Sequence, residues 1–171
     1  MIAIQPEREE DYTAIREINV LAFGRENEAR LVKKVRERPD FIPKLSLVAI
    51  KKEEVVGHIL FSPITIQSKT GSFPALTLAP MAVHPKFQNQ GIGSKLVRQG
   101  LERCRNQGHK IVVVVGHPQY YPRFGFSPAR AKGLEAPFLV PDDVFMVLEF
   151  GPGALHGPTG MVTYPQEFLD V

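Results

Sequence analysis

The stretch from Ala75 to Val115 constrains this chain more than any other. From Gly91 to Gln107 the apolar side chains Ile92, Leu96, Val97, Leu101 and Cys104 recur on one helical face, while Lys95, Arg98, Glu102 and Arg105 lie away from it. Gly108 ends that pattern, and Ile111 to Val115 is an uninterrupted β-branched run, the composition of a strand buried on both faces. Before the helix, Ala75 to Val83 reads as a long strand. A strand–helix–strand unit follows, with a right-handed crossover and a parallel strand pair. Pro80 interrupts the first of these strands: it has no N–H and a fixed φ, so a bulge or an edge is expected there and the strand opens locally.

The remaining elements follow from spacing. Ile2 to Gln5 predicts a short strand, Glu9 to Phe23 a first amphipathic helix, and Glu26 to Arg38 a second that stops before Pro39. Leu45 to Lys51 and Val55 to Gln67 form a hairpin around Lys52, Glu53 and Glu54, and Lys69 to Pro74 reads as a loop. Pro122 limits Pro118 to Phe124 to a short helix, and Val144 to Phe150 supplies a last strand. Beyond Gly151, glycines and prolines break the chain, and Leu155, Met161, Val162, Tyr164 and Phe168 suggest a tail, 151–171, packed on the domain. With 171 residues and no linker or repeat, the expectation is one domain, 1–171, of mixed α/β class in which strands outnumber helices.

Composition removes several function classes. The single Cys104 excludes an internal disulfide and a cysteine-rich zinc site, and its place on the apolar helix face marks it as core. Val55 to Gln67, free of charge, is too short and too polar for a membrane span, and the acidic start MIAIQPEREEDY is no targeting signal, so a soluble cytoplasmic protein is expected. Lys and Arg number 21 against 18 acids, and a net +3 spread over the chain suits an anionic ligand better than nucleic acid. Lys33, Lys34, Arg36 and Arg38, on a helix with Glu26, Glu28 and Glu37, read as a solvated face.

The most informative phrase is MAVHPKFQNQGIGSKLV, Met81 to Val97: a strand, a turn at His84 and Pro85, then glycines opening a helix. Backbone N–H groups at a helix start have no internal partner and, with the helix dipole, favour an anion. Gly91 and Gly93 let a phosphate approach the backbone with no Cβ in its way. A dinucleotide fingerprint would need a third glycine where Leu96 stands, and a P-loop a longer spacing ending in Gly-Lys-Ser/Thr, so neither applies. The phrase resembles instead the motif of the GCN5-related N-acetyltransferase (GNAT) superfamily, arginine or glutamine, two residues, glycine, one residue, glycine or alanine, read here as Gln88, Asn89, Gln90, Gly91, Ile92 and Gly93. The order of elements from Ile2 to Phe150 matches that fold as well. GHPQYYPRFGF, Gly116 to Phe126, is similar to the fourth motif of a subgroup of small bacterial-type acetyltransferases, Gly-Asp-Pro-x-Tyr-Tyr-x-Arg-Phe-Gly-Phe, with His117 in place of the aspartate.

The resemblance implies a central, largely antiparallel sheet splayed at one parallel strand pair and flanked by helices. It implies acetyl-CoA as donor and no metal. The pyrophosphate would rest on the backbone amides of Gln88, Asn89, Gln90, Gly91, Ile92, Gly93 and Ser94, and the pantetheine arm would pair like an added strand with Met81, Ala82 and Val83. It implies Tyr121 as the general acid: a phenol of pKa about 10 stays protonated at neutral pH and can donate to a leaving thiolate whose thiol pKa is about 8.5. An amine acceptor of pKa about 10.4 must first lose a proton, which at pH 7 costs about 4.6 kcal/mol, so a base acting through water is expected. Glu28, His58, His84 and His117 are the candidates. His117, following the strand that flanks the cofactor, is the one chosen.

The activity so implied is direct N-acetylation of an amine in a ternary complex, since no residue shows the arrangement of an activated nucleophile. A non-catalytic acyl-CoA-binding or regulatory module of the same fold is the alternative, and a basic protein- or RNA-contact module the third reading. The acceptor and the oligomeric state have no signature in the sequence.

Overall fold

The structure, a computed structural model, describes residues 1–155 and 160–171. Its elements in chain order are β1 (Ile2–Pro6), α1 (Tyr12–Phe23), α2 (Asn27–Arg36), β2 (Ser46–Lys51), β3 (Glu54–Ser68), β4 (Gly71–Val83), α3 (Ile92–Asn106), β5 (Ile111–Val115), β6 (Ser127–Pro128), β7 (Leu134–Glu135), β8 (Phe145–Glu149), β9 (Gly160–Thr163) and α4 (Gln166–Leu169). They fall into two compact units: Met1–Ser62 with Ala79–Arg103 and Glu167–Val171, and Pro63–Leu78 with Cys104–Gln166.

In the first unit β1, β2 and β3 pair antiparallel. Lys52 and Glu53, both at positive φ, make the two-residue turn whose twist suits a hairpin, tighter than the three-residue turn expected. Strand alternation sorts the side chains of β3. A Cβ on Gly57 would meet Ile92 and Leu96 of α3, and one on Gly100 of α3 would stand 2.5 Å from Phe61, so these positions face α3. His58, Leu60 and Ser62 therefore face the opposite side, where Leu60 and Val48 pack with Ile15 of α1 and Leu31, Val32 and Val35 of α2.

Inside this unit lies a buried polar network. The Glu7 side chain is 2% exposed and receives two bonds from Arg36 of α2, at 2.7 and 3.1 Å, and one from the Ser46 hydroxyl. Ser46 Oγ also lies 2.9 Å from His58 Nε2, and Arg36 stacks over the Tyr12 ring at 3.7 Å. Burial alone would raise the pKa of Glu7, but the His58 ring 3.6 Å away, the bonds from Arg36 and Ser46 and the charge of Arg36 bring it down to about 2. Burial holds His58 below its usual value, against the pull of Glu7, so the ring is neutral in the fold. Both groups bind protons more readily in the unfolded chain, and stability is therefore lost as pH falls. The loss begins below the ordinary histidine value of 6.5 and steepens from 4.5 toward 2 as Glu7 is protonated. Chemical unfolding between pH 7 and pH 3 should show wild type losing about 2 kcal/mol more than Glu7→Gln across that range. Parallel stability curves for the two proteins would contradict the assignment.

In the second unit β4 and β5 are parallel, with Leu76 opposite Val112 and Thr77 opposite Val113, as the strand–helix–strand reading requires. β5 pairs antiparallel with β8, and β8 with β6. The end of β3 pairs antiparallel with β9, and β9 runs parallel to β7, a second parallel contact that spacing did not reveal. The core here joins Ile64, Ile66, Ile111, Val113, Phe145, Val147 and Val162. The parallel ladder of β4 has its rungs at Leu76 and Thr77, before the cis Ala79–Pro80 peptide and the segment Met81–Val83.

Several expected boundaries move. Lys69 to Pro74 is not a loop: β4 starts at Gly71, after a turn closed by Ser68 Oγ on the Gly71 carbonyl and by Gln67 on Ser72. The polarity of that segment reflects exposure, not irregular backbone. Glu9–Asp11 form a 3-10 turn ahead of α1. Beyond Phe150 a further strand, β9, follows; in it Val162 is buried whereas Met161, expected to pack, is 40% exposed, because alternation turns the two to opposite faces. No helix among the described residues is long and apolar enough to cross a membrane.

Candidate functional site

Two groups of side chains answer to the expected site, one in each unit. In the first, β4 runs beside β3, with the His84 N–H on the Val56 carbonyl at 2.9 Å, and a Cβ on Gly57 would stand 3.3 Å from the Ala82 carbonyl. The chain then turns through Pro85–Phe87, with the Phe87 N–H on the His84 carbonyl, and reaches Gln88, whose amide donates to the Val83 carbonyl at 3.1 Å. That bond ties the loop to the strand and so joins Met81–Val83 to Gln88–Ser94. Asn89 and Gly91 both take positive φ, 63° and 81°, so the turn into α3 is left-handed. α3 begins at Ile92, buried at 3% exposure, and its first bond runs from the Lys95 N–H to the Gly91 carbonyl at 3.1 Å. The amides of Ile92 and Gly93 point out of the helix end, with open space where a Cβ on Gly91 would be. Lys51 reaches this loop, 3.3 Å from Gln90 Oε1 and over the Phe87 ring. Together, exposed amides and a positive helix end favour an anion here.

In the second unit β5 ends at Val115, and Gly116 and His117 lead into Tyr121–Phe124. The His117 carbonyl accepts the N–H groups of Tyr120, at 3.1 Å, and Tyr121, at 3.3 Å. Tyr121 is 7% exposed, packed edge-on against Tyr120 and Phe126. Gly116 admits its ring: a Cβ there would lie 2.4 Å from Tyr121 Cε2. Burial and the neighbouring Tyr120 push the Tyr121 phenol well above its ordinary value, so it keeps its proton far beyond neutral pH. This role of Gly116 in seating the Tyr121 ring has no signal in the sequence beyond its place in the Gly116 to Phe126 phrase.

The base candidates separate clearly. The His117 side chain is exposed, and its backbone is what orients Tyr121. Both Glu28 oxygens are taken by Arg25, at 2.9 and 2.5 Å, so that carboxylate stands as one half of a bidentate pair. His84 Nδ1 accepts the Lys86 N–H at 3.1 Å. His58 is fully buried in the Glu7 network. Cys104 is buried and its thiol pushed up to about 12, which fits core and not nucleophile. Among the described residues no group of three or more His, Cys, Asp or Glu is placed to hold a metal ion.

A model of the acetyltransferase (GNAT) domain matches residues 3–129. An uncharacterized N-acetyltransferase of Escherichia coli K12, YjhQ, is 42% identical over 134 residues, 78% of this chain and 74% of its own length. A second from the same organism, YhbS, is 35% identical over 86% of each chain. The crystal structure of E. coli YhbS in complex with CoA superposes with a TM-score of 0.91 at 32% identity, covering 98% of this chain and 92% of that one. A GNAT family acetyltransferase from Brucella melitensis in complex with acetyl-CoA gives a TM-score of 0.80 at 32% identity, covering 98% of each.

Proposed function

The chain belongs to the GNAT acetyltransferase family and is an acyltransferase, and we propose that it passes the acetyl group of acetyl-CoA directly to an amine within a ternary complex. One observation carries the reading: a loop tied by Gln88 to the strand Met81–Val83 presents the open amide end of α3 to an anion. The diphosphate of CoA would sit on Gln88 to Ser94 and the pantetheine amides would pair with Met81 to Val83, as a strand adds to an edge. Two solved relatives hold CoA and acetyl-CoA. Backbone N–H groups of the same strand would polarise the thioester carbonyl. Tyr121 would protonate the departing thiolate. The 1–171 chain would act as one catalytic domain, with 151–171 as its tail.

The seat is tested at Gly91. Its φ of 81° and the open space beside it mean that a valine strains the turn and puts a branched side chain where the diphosphate approaches. Gly91→Val should raise the acetyl-CoA dissociation constant at least tenfold, about 1.4 kcal/mol, by calorimetry. Unchanged affinity in a folded variant removes the seat. Initial rates at varied acetyl-CoA and amine should give intersecting double-reciprocal lines; parallel lines would mean an acetylated enzyme instead of direct transfer.

A further inference from the structure

The Glu7 network fixes the protons on His58. The Glu7 carboxylate, bound by Arg36, can only accept, so the one hydroxyl proton of Ser46 goes to it. Ser46 Oγ must then accept at its 2.9 Å contact with His58, and the proton of the neutral imidazole therefore sits on Nε2. Nδ1 is left as a bare lone pair. It is buried and has no hydrogen-bond partner among the described residues. On the same face of β3, four residues on, Ser62 Oγ is likewise buried without a partner, and so is Asn19 Oδ1 on α1. His58 follows Gly57, which abuts the Ala82 carbonyl, so the residue stands on the strand next to Met81–Val83.

We infer that His58 is the acceptor, through water, of the proton the amine must lose, with Ser46 and Glu7 as the positioning residues that hold its tautomer. The inference rests on the acetyltransfer reading above and names the base that the reading requires. An ammonium acceptor gives one proton through water to Nδ1. The resulting imidazolium keeps its Nε2–H on Ser46, which relays to the Glu7 carboxylate. The freed nitrogen lone pair forms the N–C bond to the thioester carbon, the C–S bond breaks, and the thiolate takes the Tyr121 proton. The second N–H proton of the adduct replaces the one that Tyr121 gave, and His58 returns its proton to solvent, for a net yield of amide, free thiol and one proton. The charged groups facing the ring are Glu7 at the end of β1 and Arg36 on α2; β2 contributes the neutral Ser46. Burial keeps the resting ring neutral and opposes its protonation, while the Glu7 carboxylate favours the charged form that accepting a proton creates.

The wild-type protein tests the tautomer directly: ¹⁵N spectra should show a pyrrole-type Nε2 and a pyridine-type Nδ1 for His58, and the reverse pattern overturns the inference. His58→Gln should bind acetyl-CoA as wild type does. Its turnover should fall about 10²- to 10⁴-fold with an alkylamine at pH 7, the range of a lost general base. The deficit should shrink toward unity with an amine of pKa below 6, already neutral, and with rising pH for the alkylamine. A purely structural role would cost all amines equally at every pH, and that result, or an undiminished rate, overturns the inference alone. Absence of amine-dependent thiol release from wild type would overturn the acetyltransfer reading and the inference with it.

Discussion

Tyr121→Phe should release CoA thiol about 10²- to 10⁴-fold more slowly than wild type at neutral pH, a loss of about 3 to 5 kcal/mol at the transition state, while binding acetyl-CoA unchanged. The substitution keeps the ring that packs against Tyr120 and Phe126 and removes the one proton it can give. Burial holds that phenol far above its ordinary value, so wild type keeps its acid throughout the range in which a thiol of pKa about 8.5 titrates. The thiolate becomes a tolerable leaving group unaided as pH approaches that value, and the mutant's deficit should narrow there. Thiol-release rates from neutral to alkaline pH check this. Equal rates for the two proteins would reject Tyr121 as the acid.

The second large effect belongs to Gly116. Its Cβ would lie 2.4 Å from Tyr121 Cε2, and the ring, wedged among Tyr120, Phe124 and Phe126, has little room to yield. Gly116→Val should cost about 1–3 kcal/mol of stability through overpacking. Turnover should drop about 100-fold, because a displacement of about 1 Å is enough to spoil proton transfer. Adding Tyr121→Phe to this variant should then cost far less than it does alone, as coupled sites are not additive. Full additivity in the double mutant would show that Gly116 does not act through Tyr121.

What was legible in the sequence depended on local signals. The helix from Ile92 to Asn106 and the strand Ile111–Val115 stand within a residue or two of where periodicity puts them, because each buries a regular face. The strands β6, β7 and β9 are two to four residues long and too short for any period to register. The Glu7 network was invisible for another reason: its members are 29, 39 and 12 residues apart in sequence, and only tertiary pairing of β2 with β3 and packing of α2 assemble them. Alternation along β3 was the available signal, since it sets His58 inside an apolar strand. Glu28 read as solvated by composition; the structure buries it and satisfies it with Arg25. The place of His117 after β5, which points to it as a base, also lets its backbone carbonyl hold the N–H groups of Tyr120 and Tyr121, a contact with no signal in the sequence.

Direct transfer to an amine is tested most directly by mass balance on the wild-type protein, with acetyl-labelled acetyl-CoA and a panel of alkylamines. The account predicts free CoA and acetylated amine in equal amounts, with no label on the protein when the amine is omitted. Acetyl-CoA binding without any acetylated amine across the panel would contradict it and leave an acyl-CoA-binding module in its place.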